Sequence, residues 1–301
     1  MKVRIEVPNC DHIVEWLRFI IKNRPKHRFH HKDLYVFDFC KVEFIFPYHL
    51  VSMACLMEEY KLSGAKIRIL SDQKSQAGKF IRWSKFENYW GANFDRNFCL
   101  NSRFSNTLPI WKYRQEYIDS FALIAEKFYS NHAIKGKDLS PLRLTVVEAL
   151  NNITDHSESK VSGFVATQYF KGKSELVISI CDFGKGIPNR VNLFQTQNKR
   201  LPMKDNLALE EALKRGFSTK STPRNRGFGL DTILSTVKAV DGEIEIVSNR
   251  AYFSKKMINS QVNKVSDQLE FSFPGTYLVF KMNMNKFQEI EAEYNEEVSL
   301  F

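Results

Sequence analysis

The chain has 301 residues, 43% of them hydrophobic, enough for one large domain or two ordinary ones; its formal charge of +10 suits nucleic acid, acidic protein and phosphorylated ligand alike. Its apolar stretches, such as residues 42–57, are broken by Glu43, Pro47 and His49 and fall short of the roughly 20 apolar residues that span a membrane, so no membrane partner is expected. Five scattered cysteines, odd in number, with no CxxC pair and none beside a His at zinc-ligand spacing, argue against a zinc site and favour reduced thiols in a reducing compartment.

Residues 2–7 alternate apolar and charged and read as a strand, not an export signal, so a cytoplasmic protein is expected. Residues 11–22 predict a helix capped by Asp11, with Ile13, Trp16, Leu17, Ile20 and Ile21 on one face. A strand over 34–39, a helix over 47–62 ended by Gly64, and a strand over 66–70 complete a small α/β unit. The pattern weakens between Ser71 and Pro109, which places a domain boundary near residue 105.

Beyond the boundary, Tyr117, Phe121, Ile124, Ala125 and Phe128 form the apolar stripe of a helix over 115–131. A second helix starts at Ser140, an N-cap before Pro141, and is expected to bury Leu144, Val147, Ala149, Leu150 and Ile153. Strands over 163–170 and 176–181 flank a turn at 171–174, followed by a helix over 206–214 and another from Gly229. Strands over 243–247, 268–273 and 276–282 end the series, with Gly275 as the hairpin turn between the last two.

Three segments carry chemistry. Glu148, Asn152 and Asp155 recur at four and three residues on one helix face, an oxygen-rich group that suits magnesium. An apolar strand then ends in Asp182-Phe-Gly184-Lys-Gly186-Ile187, where an acceptor-only carboxylate precedes glycines that allow close backbone approach to a ligand. Finally, residues 216–230 combine glycines, polar groups and cations before a helix N-terminus, a place suited to phosphate.

In this order and spacing the three segments resemble the GHKL superfamily of ATP-binding domains, which includes gyrase, histidine kinases and the anti-sigma-factor serine kinases. Glu148-x-x-x-Asn152 looks like the N box, Asp182-x-Gly184-x-Gly186 the first glycine box and Gly227-x-Gly229-Leu230 the second, with residues 216–226 between them as the ATP lid. The resemblance implies that Glu148 is the general base, Asn152 the magnesium ligand and Asp182 the reader of adenine. It further implies nucleotide contacts from Asp155, His156, Gly184, Gly186, Ile187, Thr219, Lys220, Gly227, Phe228, Gly229, Leu230 and Thr276. The implied fold is an α+β two-layer sandwich of GHKL type over residues 106–301, a mixed sheet covered by helices on one face.

More weakly, residues 33–50 resemble the STAS domains of anti-sigma antagonists, which implies a small STAS-like α/β domain over 1–105 as a regulatory or docking module. Phe46, Pro47 and Tyr48 stand where such a domain would present its phosphoacceptor serine, so a docking role fits better than a substrate role. The lack of a His-Glu-aliphatic-Arg segment disfavours a sensor kinase, and no transducer domain of the gyrase kind is expected. The reading is therefore a magnesium-dependent ATP-binding switch or serine/threonine protein kinase acting on a protein partner of STAS or regulatory type. A stand-alone ATPase driven by lid closure or homodimerisation is the alternative, an ATP sensor without turnover is a third, and a nucleic-acid partner stays open without being favoured.

Overall fold

Parallel strands cannot be joined by a tight turn, so the three short strands near the N-terminus alternate with helices. In the computed structural model, which describes residues 2–26, 33–89, 106–113, 115–157, 161, 163–217, 229–258 and 261–290, β1 (Lys2–Glu6), β2 (Leu34–Asp38) and β3 (Lys66–Leu70) pair in parallel in that order. The crossovers are α1 (Ile13–Lys22) and α2 (Pro47–Leu62). The first is amphipathic and buries Ile13, Trp16, Leu17 and Ile20. Its cap position is His12, with no side-chain cap bond, so Asp11 is not the N-cap: the helix opens one residue too late for it.

α2 has no polar face, and 13 of its 16 residues are buried. Such a helix must be covered all round, and α2 packs against β3, α1 and two strands of a second sheet. α3 (Gln76–Trp83), capped by the Ser75 hydroxyl, which accepts from the Gly78 N–H at 2.9 Å, and α4 (Phe86–Tyr89) follow.

The second sheet contains β4 (Thr107–Lys112), β5 (Phe164–Phe170), β6 (Glu175–Cys181), β7 (Glu243–Ile258) and β8 (Gln261–Asn283), in the order β4-β5-β6-β8-β7. Every described pairing is antiparallel. This corrects the expected mixed sheet: β5–β6 and β7–β8 are hairpins, whose arms run in opposite directions, and β8 meets β6 the same way. Side chains alternate across the sheet. The front face, with Val165, Ile178, Ile180, Ile246, Leu278 and Phe280, packs under α5 (Ile118–His132), α6 (Ser140–Ser157), α7 (Ile187–Gln197), α8 (Asp205–Ala212) and α9 (Gly229–Ala239).

The back face, with Phe164, Ala166, Val177, Cys181, Val247, Tyr277 and Val279, shares a core with α1 and α2. Helices on one face alone were expected; α2, buried on nearly all sides, and α1 beside it cover the other, so the two sheets enclose this helix pair. α6 also sits rotated from expectation: it buries Leu142, Val146, Ala149 and Leu150, while Leu144 is 57% exposed.

The Gly275 hairpin is a second correction. β8 runs through this position, and the β7–β8 pairing continues from Glu243↔Lys281 out to Ile258↔Gln261. Pro274 and Gly275 instead form a bulge, where the register steps from Ser248↔Thr276 to Asn249↔Phe273. Proline cannot donate to the ladder, and Gly275 adopts a φ of +74°, so the pair leaves the ladder without ending the strand. Among the described residues, no helix is long and apolar enough to cross a membrane.

Candidate functional site

The front face of the second sheet changes chemistry at one end. Trp111, Val165, Ile180, Leu278 and Ile246 face one another across all five strands and are buried. Two residues further along lies the Ser248↔Thr276 pair, and carrying the other registers one step past their last pairs brings Tyr113, Gly163 and Asp182 into line with it. Backbone bonds hold the ends of this row together: Tyr113 N–H donates to the Gly163 carbonyl at 3.0 Å, and Asp182 N–H to the Thr276 carbonyl at 2.9 Å. An apolar row thus gives way to a polar one, and its members Tyr113, Asp182, Thr276 and Ser248 are all buried.

Asp182 lies at the centre. Its Oδ1 accepts from the Gly184 N–H at 2.6 Å and its Oδ2 from the Thr276 N–H at 3.0 Å. Burial pushes its carboxyl up to about 7, although the two N–H donors pull the other way. A group balanced there changes charge near neutral pH, and each carboxylate oxygen retains a lone pair for a further donor. Gly275 permits this close packing, because a Cβ at that position would overlap the Asp182 carbonyl and the Gly184 nitrogen.

The glycine segment continues into α7 through Gly186, whose φ is +79°. The Ile187 N–H donates to Ser248 Oγ at 2.9 Å, and that hydroxyl donates onward to the Gly275 carbonyl at 2.7 Å. Asn249 Nδ2 donates to the Lys185 carbonyl at 3.1 Å. The turn after Asp182 is therefore pinned to β7 and β8 and is not a free loop.

On α6, Glu148 and Asn152 lie one turn apart and are partly buried. Burial raises the Glu148 carboxyl above its usual range. The Asn152 carboxamide lies against Gly229 at the start of α9, where a Cβ would overlap it, and its buried Nδ2 has no partner. Leu230 packs against the front core. Asp155 and His156 continue α6, but their side chains lie outside the described residues, as do Thr219, Lys220, Gly227 and Phe228. The structure thus brings Asp182, Gly184, Gly186, Ile187 and Thr276 into one cluster, and Asn152 to Gly229.

Sequence reasoning missed Tyr113, Gly163, Ser248 and Asn249. Ser248 closes the alternating run of Ile244 and Ile246, a weak signal; for Tyr113 only the strand pairing reveals the role. Among the described residues, no three His, Cys, Asp or Glu side chains converge as a metal-binding group. In comparisons with protein-family models and with curated proteins, no family and no relative matches this chain.

Proposed function

We propose that the chain binds ATP with magnesium at the polar end of the front face and acts as a regulatory protein kinase or switch on a protein partner. The observation that carries this reading is Asp182, a buried carboxyl with each oxygen fixed by one backbone N–H. The exocyclic amine of adenine is the kind of donor that its remaining lone pairs accept. Gly184 and Gly186 give a flat base close access to backbone, and the start of α9 offers N–H groups to phosphate.

Asn152 fits magnesium in kind, as one protein oxygen that phosphate oxygens and water would complete. The ion, when bound, neutralises charge on those oxygens. Glu148, one helical turn earlier, has a carboxyl raised by burial, the direction that suits a base taking a proton from a serine hydroxyl or a water. Regulation from the N-terminal unit is supported by contacts behind the site. The Cys55 thiol of α2 donates to the Cys181 carbonyl at 3.3 Å, and the Arg24 guanidinium lies 5.1 Å from the centre of the Phe183 ring. Asp182 sits between those two residues of the chain.

The test is calorimetric titration of the whole chain and of Asp182→Ala with a non-hydrolysable ATP analogue, with and without magnesium. Magnesium-dependent binding is expected, weakened by about 1.5 to 3 kcal/mol in the folded variant, the scale of a hydrogen bond to a charged group. A folded wild type that binds nothing, or a variant of equal affinity, would remove the assignment. Phosphate on a partner serine would then mark a kinase, and steady phosphate release without it a stand-alone ATPase.

A further inference from the structure

The polar row has one position without a side chain. Gly163 stands between Tyr113 and Asp182, and a Cβ built on it would fall on the Tyr113 ring, nearest to Cζ and the hydroxyl oxygen. The tyrosine thus lies across its neighbouring strand, and its hydroxyl fills the place of a side chain at 163. Continuing the β5–β6 register one step past Phe164↔Cys181 sets that place opposite Asp182 on the same face, where paired Cβ atoms are about 4.5–5.5 Å apart. The hydroxyl is buried and has no hydrogen-bond partner, an arrangement that costs stability unless something else accepts or donates there. Burial also holds the phenol well above its ordinary value, so it remains an O–H donor throughout the physiological range.

A donor beside an acceptor is a pattern with a chemical complement. Asp182 offers lone pairs, and Tyr113 offers a proton one strand-pair away. A heterocycle with an amine next to an unprotonated ring nitrogen, the edge that 6-aminopurines present, matches both. A 6-oxopurine presents the reverse, with oxygen toward the carboxylate and N–H toward the hydroxyl. We propose that Tyr113 is a specificity-determining residue of this site, its hydroxyl donating to the ring nitrogen beside the amine that Asp182 accepts. The proposal rests on the ATP-binding reading above and adds a second, independent contact to the same base.

The experiment compares ATP with 1-deaza-ATP, which keeps the amine but replaces that ring nitrogen by C–H, in wild type and in Tyr113→Phe. Wild type is expected to favour ATP by about five- to tenfold, the scale of one neutral hydrogen bond. In Tyr113→Phe, which keeps the ring and removes only the hydroxyl, the ratio should fall to near one through loss of ATP affinity alone. A variant that retains the wild-type ratio overturns the proposal while leaving the ATP site in place. Equal wild-type affinities for the two nucleotides overturn it as well, without need of the variant. A folded wild type that binds neither nucleotide overturns both readings, so the two failures are told apart.

Discussion

The two faces of the second sheet use the same strands to opposite ends. At the end carrying Asp182, the back face presents Cys181, Val247 and Tyr277, which pack under α2. Two polar groups there find partners: the Tyr277 hydroxyl donates to the Tyr48 carbonyl at 3.1 Å, and the Cys55 thiol to the Cys181 carbonyl at 3.3 Å. One residue over, the front face presents Tyr113, Asp182, Thr276 and Ser248, with an unpaired hydroxyl and a carboxyl poised near neutral pH. Alternation along a strand is enough to separate the two roles. The back face is not free of unpartnered polar atoms, since Ser179 Oγ and His49 Nε2 also lack partners. The front row, however, sets its unpaired hydroxyl beside a buried carboxyl, and buried groups left short of partners raise the energy of the folded protein.

The sharpest way to test that difference is pH. Because the folded carboxyl of Asp182 titrates near 7 instead of its usual 3.8, the folded chain holds a proton that the unfolded chain releases between those values. Stability from this group is therefore full below about pH 4 and is lost as pH rises through 7, by up to about 4 kcal/mol at about 1.36 kcal/mol per pH unit. Glu148 and Glu245 act in the same direction; His49, held down to about 3 by burial, opposes it as the pH rises, and Asp38 and Glu210, held below their usual range, oppose it at more acid pH. Urea midpoints at pH 5 and pH 8 isolate the Asp182 share when wild type is set against Asp182→Ala: the variant should lose less stability on going to pH 8. Equal losses in both proteins would mean that the front carboxyl is no more strained than the paired groups behind it.

Breaking the back face should have a different signature. Leu56 is fully buried on α2, and Leu56→Ala is expected to cost about 2 to 5 kcal/mol of stability through the cavity it leaves. The folded fraction should bind ATP as wild type does, since Leu56 lies in the core shared by the back face and the N-terminal unit. A nucleotide affinity that drops in parallel with stability would show that the two faces are coupled far more tightly than their packing suggests.

What could be read in the sequence follows the same division. Local signals were legible: the strand over residues 66–70, the strand over 34–39 to within one residue, α2 to the residue, and the Asp182 segment as the abrupt end of an apolar strand. α3 and α7 carried signals too, in Ser75 as a cap and Pro188 in the first turn, but their polar composition hid the apolar stripes. Nonlocal facts were not legible. Nothing in residues 111–113 says that Tyr113 will stand two strands from Asp182, because register is decided by the pairing of distant segments. Gly275 shows the limit well: a positive φ serves a hairpin turn and a bulge equally, and only the strand opposite distinguishes them. Likewise, α2 is legible as a helix, but its burial on nearly all sides, and the second sheet that covers it, are not.

The smallest effect tests the row itself. Two glycines lie at opposite ends of β5: a Cβ at Gly163 would meet the Tyr113 ring, whereas at Gly172 it would meet nothing within 4 Å. Gly163→Ala is therefore expected to cost about 1 to 3 kcal/mol by overpacking, and Gly172→Ala to stay within about 0.5 kcal/mol of wild type. Size alone would not locate the clash, since any crowded neighbour could produce it. A double-mutant cycle with Tyr113→Ala does: once the ring is removed, the added methyl at 163 has space, so the two costs should fall short of additivity by about 1 kcal/mol or more. Additive costs in chemical denaturation would place the tyrosine elsewhere, and the front face would then lose the donor that completes its polar row.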